Sequence, residues 1–396
     1  MRTVVLLGGA MLCVLSSAPL AVGDDPPLEE KPQPFTVKLV DEAGHPVEGA
    51  LAGLMAFHGD VAGSLAVSDE DHWHYLYGAQ SAKDGLVTIS DGREALPRLC
   101  VVARHRALKL VAIASVDPDK VDPLKTKEVP TVRMHPECHV SGKLSCSDLA
   151  KTNRLVGWTN VGLKLGDKFA FQCSSNNQTF HFILPPGDYE AEAYGTDAHF
   201  VSVKFSIKAG ERERTLDPIE LPATKLALLR GMPAPELRDF VGWKGKPVSL
   251  ASLKGKVVIL DFWGYWCGPC VHRMPELFEL YDKHHDAGLE IVGLHVGLEE
   301  DDPNPVDSAE KLDEKLTGIR KSIWKGRDVP YPVALFAGKR VSYGPRIEGK
   351  ARSQAAADYG VVFYPTLILI GKDGRVIDKF KPAKDRDLLE KILREE

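Results

Sequence analysis

VVILDFWGYWCGPC, residues 257–270, is the stretch whose reading decides the fold. Val257–Phe262 is almost continuously apolar, the mark of a strand covered on both faces rather than one that alternates. Asp261 interrupts that run, and an ionised carboxylate in such a strand is costly unless it has a purpose. Two cysteines with two residues between them follow at once. They open Val271–His284, which reads as a helix with Pro275 as a kink inside it. At a helix start the first thiol lies near unpaired backbone N–H groups and the positive end of the dipole, which favours its thiolate. A thiolate attacks disulfides, and a second thiol one turn deeper can resolve the mixed disulfide. Alone, a Cys-x-x-Cys pair is ambiguous between this redox work and half of a metal site.

Outward from this motif, strands alternate with amphipathic helices from Gly231 to the C-terminus, which predicts an α/β unit. Leu289–Val296 is a second buried strand. Ala309–Trp324 reads as a helix with Leu312, Leu316, Ile319 and Ile323 along one face, and Val333–Phe336 as a further strand. Thr366–Ile370 and Arg375–Phe380 pair across the turn Gly371-Lys372-Asp373-Gly374, and Asp385–Arg394 is a closing helix. Tyr364-Pro365-Thr366 stands at the start of the late strand.

VVILDFWGYWCGPC, Pro275 and Tyr364-Pro365-Thr366 together resemble the thioredoxin family. The lead-in GMPAPELRDFVGWKGKPVSLASLKGKVVILDFW is similar to its exported TlpA/ResA-type branch, and the resemblance runs from Gly231 to Glu396. It implies a thioredoxin fold and a thiol–disulfide oxidoreductase without a cofactor or a metal. By position, Cys267 matches the attacking cysteine and Cys270 the resolving one. Asp261 matches the buried acid that moves a proton to or from the resolving thiol, and Pro365 the cis-proline beside the disulfide. Trp266, Tyr364 and Thr366 fall on the surface where a substrate strand docks. The implied partners are disulfide-bearing or dithiol proteins and an upstream membrane or soluble redox donor. Gly268-Pro269 resembles thioredoxin's own dipeptide and leans the pair toward a reductant. Two departures stand out. The glutamate that this branch often carries after the strand ending at Gly297 is Leu298 here, with Glu299 and Glu300 beyond. Glu299–Gly349 is longer than a minimal thioredoxin needs and reads as an insertion.

The preceding chain is β-rich. Phe35, Val37 and Leu39 alternate with Thr36 and Lys38 before a turn at Asp41–Gly44. VDEAGHPVEGA (40–50) with DGLVTI (84–89) resembles the prealbumin-like β-sandwich modules of carboxypeptidase regulatory domains. FHFILPPGDYEAEAYG (180–195) looks like the late strands of a second such module. The expected organisation is therefore multidomain: all-β sandwich-like modules at 35–134 and 135–222, a linker at 223–230, and an α/β thioredoxin-like domain at 231–396.

Met1-Arg2, an apolar stretch and small residues up to Gly23 form a secretory signal pattern, followed by an acidic, proline-rich flexible leader at 24–34. Cleavage at 23 would leave a chain in the periplasm or outside the cell, with no stable membrane span and with disulfides permitted. The net charge of -5 offers no basic field to recruit nucleic acid. Cys13 leaves with the signal. Cys100, Cys138, Cys146 and Cys173 are either structural disulfides or buried thiols.

Two other functions compete with disulfide exchange. A peroxiredoxin-like peroxidase would share the fold, but it wants a lone reactive cysteine with a threonine and an arginine. A partner-binding or copper-delivery module would use the domain only to keep cysteines reduced. His272 invites a metal reading, but Val271 occupies the place that covalent haem attachment needs, and an exposed first-turn residue is expected. His135-Pro136-Glu137-Cys138-His139 and His72-Trp73-His74 have no matching ligand cluster and read as surface histidines.

Overall fold

The computed structural model describes residues 33–59, 74–122, 124–175, 177–298, 302–343 and 350–395. The signal segment, Cys13, nearly all of the 24–34 leader, His72, Trp73, Glu299 and Glu300 lie outside the described residues, as does the His74 side chain. The chain divides into two compact units, residues up to 147 with 154–221, and 222–396 with the short stretch 148–153.

In the first unit the strands Leu86–Ile89, Phe35–Val40 and Thr131–Arg133 make a small sheet. Its inward residues Phe35, Val37 and Leu39 share a core with Leu54, Val101 and Ala103 from a nine-stranded sheet, so two sheets face each other. That larger sheet crosses the expected boundary at 134/135. Leu51–Gly59, from the first expected module, runs parallel to Lys168–Ser175 from the second. The β content is as read, but the two stretches contribute hydrogen-bonded strands to one shared sheet. Periodicity assigns strands and leaves their pairing open, which is why a boundary drawn from turn signals missed the ladder.

The second unit begins earlier than expected. Thr224 Oγ1 accepts from Ala227 N and caps helix α1 (Lys225–Leu229), whose Leu226 is buried in the core of this unit. The expected linker at 223–230 is thus folded structure. Strands β1 (Gly242–Lys244), β2 (Val257–Trp263), β3 (Leu289–Val296), β4 (Val333–Phe336), β5 (Thr366–Ile370) and β6 (Val376–Lys379) form one sheet in the order β1-β4-β3-β2-β5-β6. β2, β3 and β4 are mutually parallel, and β5 returns antiparallel to β2. Helices α2 (Gly268–His284), α3 (Ala309–Ser322), α4 (Gln354–Tyr359) and α5 (Pro382–Arg394) complete the unit.

Every residue of β2 is buried, which explains its unbroken apolar run. Val257, Ile259 and Trp263 face a core built with α2 and α3, whereas Val258, Leu260 and Phe262 face Ala355, Ala356 and Tyr359 of α4. The Glu299–Gly349 insertion contributes to the first of these cores through Leu312, Leu316, Trp324 and Tyr331. Trp324 also repairs a defect in α2. Pro275 lies inside that helix and has no N–H for the carbonyl four residues earlier, Val271. Trp324 Nε1–H donates to that carbonyl at 2.7 Å.

Candidate active site

β2 ends at Trp263, and Gly264-Tyr265-Trp266 carries the chain from the sheet into α2. Cys267 is the N-cap of that helix, with extended backbone, and its carbonyl accepts from Cys270 N and Val271 N at 3.0 and 3.1 Å. Pro269 sits in the first turn, where its missing N–H costs nothing. Cys267 and Cys270 are joined as a disulfide. Cys267 keeps 7% of its surface exposed and Cys270 only 1%, so the residue at the helix start is the more accessible of the two.

Asp261 is fully buried on the same face of β2 as Ile259 and Trp263, which pack in the core that contains both cysteines. Desolvation pushes its carboxyl up to about 6, against the downward pull of the Arg273 guanidinium. Arg273 Nη2 donates to Asp261 Oδ1 at 3.0 Å, while Oδ2 has no hydrogen-bond partner among the described residues. Arg273 was not singled out in the sequence, although its place one turn after Cys270 was visible there.

The Tyr364–Pro365 peptide bond is cis. Trp266 Nε1 donates to Val296 O at 2.9 Å, its ring meets Tyr364 edge-on at 5.6 Å, and Arg352 covers it at 5.0 Å. Thr366 Oγ1 donates to Phe363 O at 2.8 Å. Val362 and Phe363, also not foreseen, are exposed apolar side chains just before the cis bond. On the other flank Pro365, Thr366 and Arg273 line a cleft of about 320 Å³ with Glu276, Lys379 and Lys381.

A third unforeseen group lies behind the loop. His295 is fully buried, stacked on Tyr265 at 5.6 Å and met edge-on by Trp263 at 5.2 Å. Burial lowers its pKa to about 3, so the imidazole is neutral. Tyr331, from the insertion, is buried in the core beside it, and a Cβ added at Gly293 would stand 3.1 Å from Trp263 and 3.4 Å from Tyr331. His272 is exposed, as read, with Nδ1 2.9 Å from the Gly268 carbonyl. Cys100, Cys138, Cys146 and Cys173 are buried thiols, which answers that alternative. Burial raises Cys100 to about 12, so it is inert as a nucleophile. Among the described residues no set of three or more His, Cys, Asp or Glu side chains is grouped to hold a metal ion.

The Redoxin family profile matches residues 229–393. ResA, a thiol-disulfide oxidoreductase of Bacillus thuringiensis subsp. konkukian, is 34% identical over 151 residues, which is 38% of this chain and 69% of that protein. The chain belongs to this family of thiol-disulfide oxidoreductases. Protein DipZ of Mycobacterium tuberculosis is 34% identical over 106 residues, 26% of this chain and 14% of DipZ. A solved thiol-disulfide isomerase from Corynebacterium glutamicum is 25% identical and aligns with 41% of this chain and 98% of its own, with a TM-score of 0.31. This oxidoreductase therefore carries a thioredoxin-like domain in its C-terminal unit, after a sheet-rich first unit. Among the described residues no helix is long and apolar enough to cross a membrane.

Proposed function

We propose that this oxidoreductase exchanges disulfides with exported proteins through Cys267 and Cys270 and works as a reductant. The observation that supports the reading is the placement of Arg273: it lies one turn after the Cys267–Cys270 disulfide that opens α2, is bonded to the buried carboxylate of β2, and lines a cleft with the cis-proline ahead of β5. In the reducing direction the Cys267 thiolate attacks a substrate disulfide, and one substrate sulfur leaves as thiolate. Cys270 gives its proton to Asp261 and attacks the Cys267 sulfur of the mixed disulfide, and the second substrate sulfur leaves. Two electrons pass from the cysteine pair to the substrate, and a dithiol donor upstream, membrane-bound or soluble, returns them. Trp266, Tyr364, Pro365 and Thr366 form the docking surface, with exposed Val362 and Phe363 beside them. The signal segment at 1–23 directs the chain to the periplasm or cell exterior, where disulfide-bearing proteins occur.

The test is insulin reduction by the purified protein with dithiothreitol as donor. Cys267→Ser should fall to the uncatalysed rate, and Cys270→Ser should accumulate a mixed disulfide with the substrate. Full activity in Cys267→Ser refutes the assignment. Equilibration with glutathione then reads the direction. A potential near the roughly -270 mV of thioredoxin is expected, and one near the roughly -120 mV of DsbA refutes the reductant role.

A further inference from the structure

The buried carboxylate of β2 is held by a cation from the helix that the cysteine pair opens. Asp261 faces Gly293 across the β2–β3 ladder and Leu367 across the β2–β5 ladder, so neither neighbouring strand brings it a charge. From α2 comes Arg273, whose Nη2 reaches Oδ1 at 3.0 Å. From the segment before β4 comes Tyr331, buried and neutral, and farther along the same layer stand Trp263 and the neutral His295. Arg273 also has a flank in the cleft beside Pro365 and Thr366. Glu276, Lys379 and Lys381 line that cleft as well, and Glu276 is bound to Arg386 at 2.8 Å. Arg273 thus has one end on a carboxylate closed to solvent and its flank in an open cleft.

An ionised carboxylate so deeply buried is strongly disfavoured without a partner, and a guanidinium hydrogen bond is the geometry that relieves it. Because the bond uses Oδ1, Oδ2 is left as an uncommitted acceptor. We propose that Arg273 is the positioning residue of the resolving step: it fixes Asp261 through Oδ1, keeps Oδ2 for the proton of Cys270, and links the carboxylate to the cleft beside Pro365. The inference rests on the reading of Cys267 and Cys270 as the exchanging pair. The proton balance is simple. Cys270 S–H becomes a thiolate as Asp261 becomes a carboxylic acid, the new S–S bond forms to Cys267, and the departing substrate thiolate takes its proton from solvent.

The test is a single turnover of the reduced protein with 5,5′-dithiobis(2-nitrobenzoate), in which the first coloured thiolate reports attack by Cys267 and the second reports resolution by Cys270. For the second release, Arg273→Gln should move the midpoint of the pH profile upward by about one unit, a loss of about tenfold on its acid side, and leave the first release unchanged. Arg273→Lys should restore the midpoint. In Asp261→Asn the step should vanish, and adding Arg273→Gln should change nothing further. A wild-type midpoint in Arg273→Gln, or a shift that persists in the Asp261→Asn background, overturns the proposal. Arg273→Met serves by the same criteria if Arg273→Gln does not fold. Undiminished first release in Cys267→Ser would strike the exchanging pair instead, so the two failures are distinguishable.

Discussion

Replacing Asp261 by asparagine should stabilise the C-terminal unit, and the gain should appear only as the pH rises. The carboxyl ionises near its ordinary 3.8 when unfolded and at about 6 when folded, because burial disfavours its charge. Between these values the folded protein binds more protons than the unfolded chain, so stability falls as pH rises. Below the lower value the acid is neutral in both states and costs nothing. Above the upper value the folded state carries the whole penalty, about two pKa units or about 3 kcal/mol. The asparagine amide keeps an oxygen for Arg273 and removes the titration. Urea unfolding of Asp261→Asn and the wild type, at about pH 4 and about pH 7.5, should therefore show a relative gain about 2–3 kcal/mol larger at the higher pH. Tryptophan fluorescence is the probe, since Trp243, Trp263, Trp266 and Trp324 lie in this unit and its transition must be followed separately from that of the first. An equal effect at both pH values, or a loss that grows with pH, would refute the assignment of a charge-penalised carboxylate at Asp261.

Three further substitutions probe the frame around the cysteine pair. Trp324→Phe leaves the Val271 carbonyl without its donor and opens space beside Phe278, and should cost about 2–4 kcal/mol in urea unfolding. Pro275→Ala added to it supplies an N–H at that position and should recover part of the loss; no recovery would disprove the repair. At Gly264 an added Cβ would stand 2.4 Å from Trp266 Nε1, so Gly264→Ala must displace the indole and break its bond to Val296. The loss of about 1 kcal/mol should raise KM for insulin about fivefold and leave the rate with a small disulfide unchanged. A small-disulfide rate that fell equally would show that Trp266 serves the chemistry and not docking.

The C-terminal architecture was legible because its strongest signals are local. An unbroken apolar strand, a helix opened by a proline and a glycine-bounded hairpin each declare themselves within a few residues, and β3, β4 and β5 lie where their runs of apolar residues ended. What escaped is long-range or weakly patterned. Leu51–Gly59 and Lys168–Ser175 carry glycine, polar and small residues and pair across the chain, so neither periodicity nor turn spacing joins them. At the site, Asp261 was visible as a charge out of place. Arg273 was not, since a basic residue on a helix normally marks its solvated face. Trp324 and Tyr331 were hidden by the reading of their segment as an insertion, whereas their rings fill the core under α2. His295 gave no signal at all: inside a buried strand, only its neighbours reveal that the imidazole is neutral.

The position of the two sulfurs makes an identical pair of side chains unequal, and the proposed chemistry needs that inequality. Cys267 caps α2, where unpaired N–H groups and the helix dipole stabilise a thiolate without any base. Cys270 lies inside the first turn and is almost fully buried, so its proton cannot go directly to water. A buried thiol resists ionisation for the same reason that Asp261 resists it, the loss of solvation. Joining the two groups resolves the conflict. If one proton is shared between Cys270 and Asp261, the layer beneath the pair need carry only one negative charge at a time, and Arg273 stands on the carboxylate to balance it. On the proposed mechanism, the penalty of about 3 kcal/mol at neutral pH is the consequence of burying the base that serves the resolving thiol.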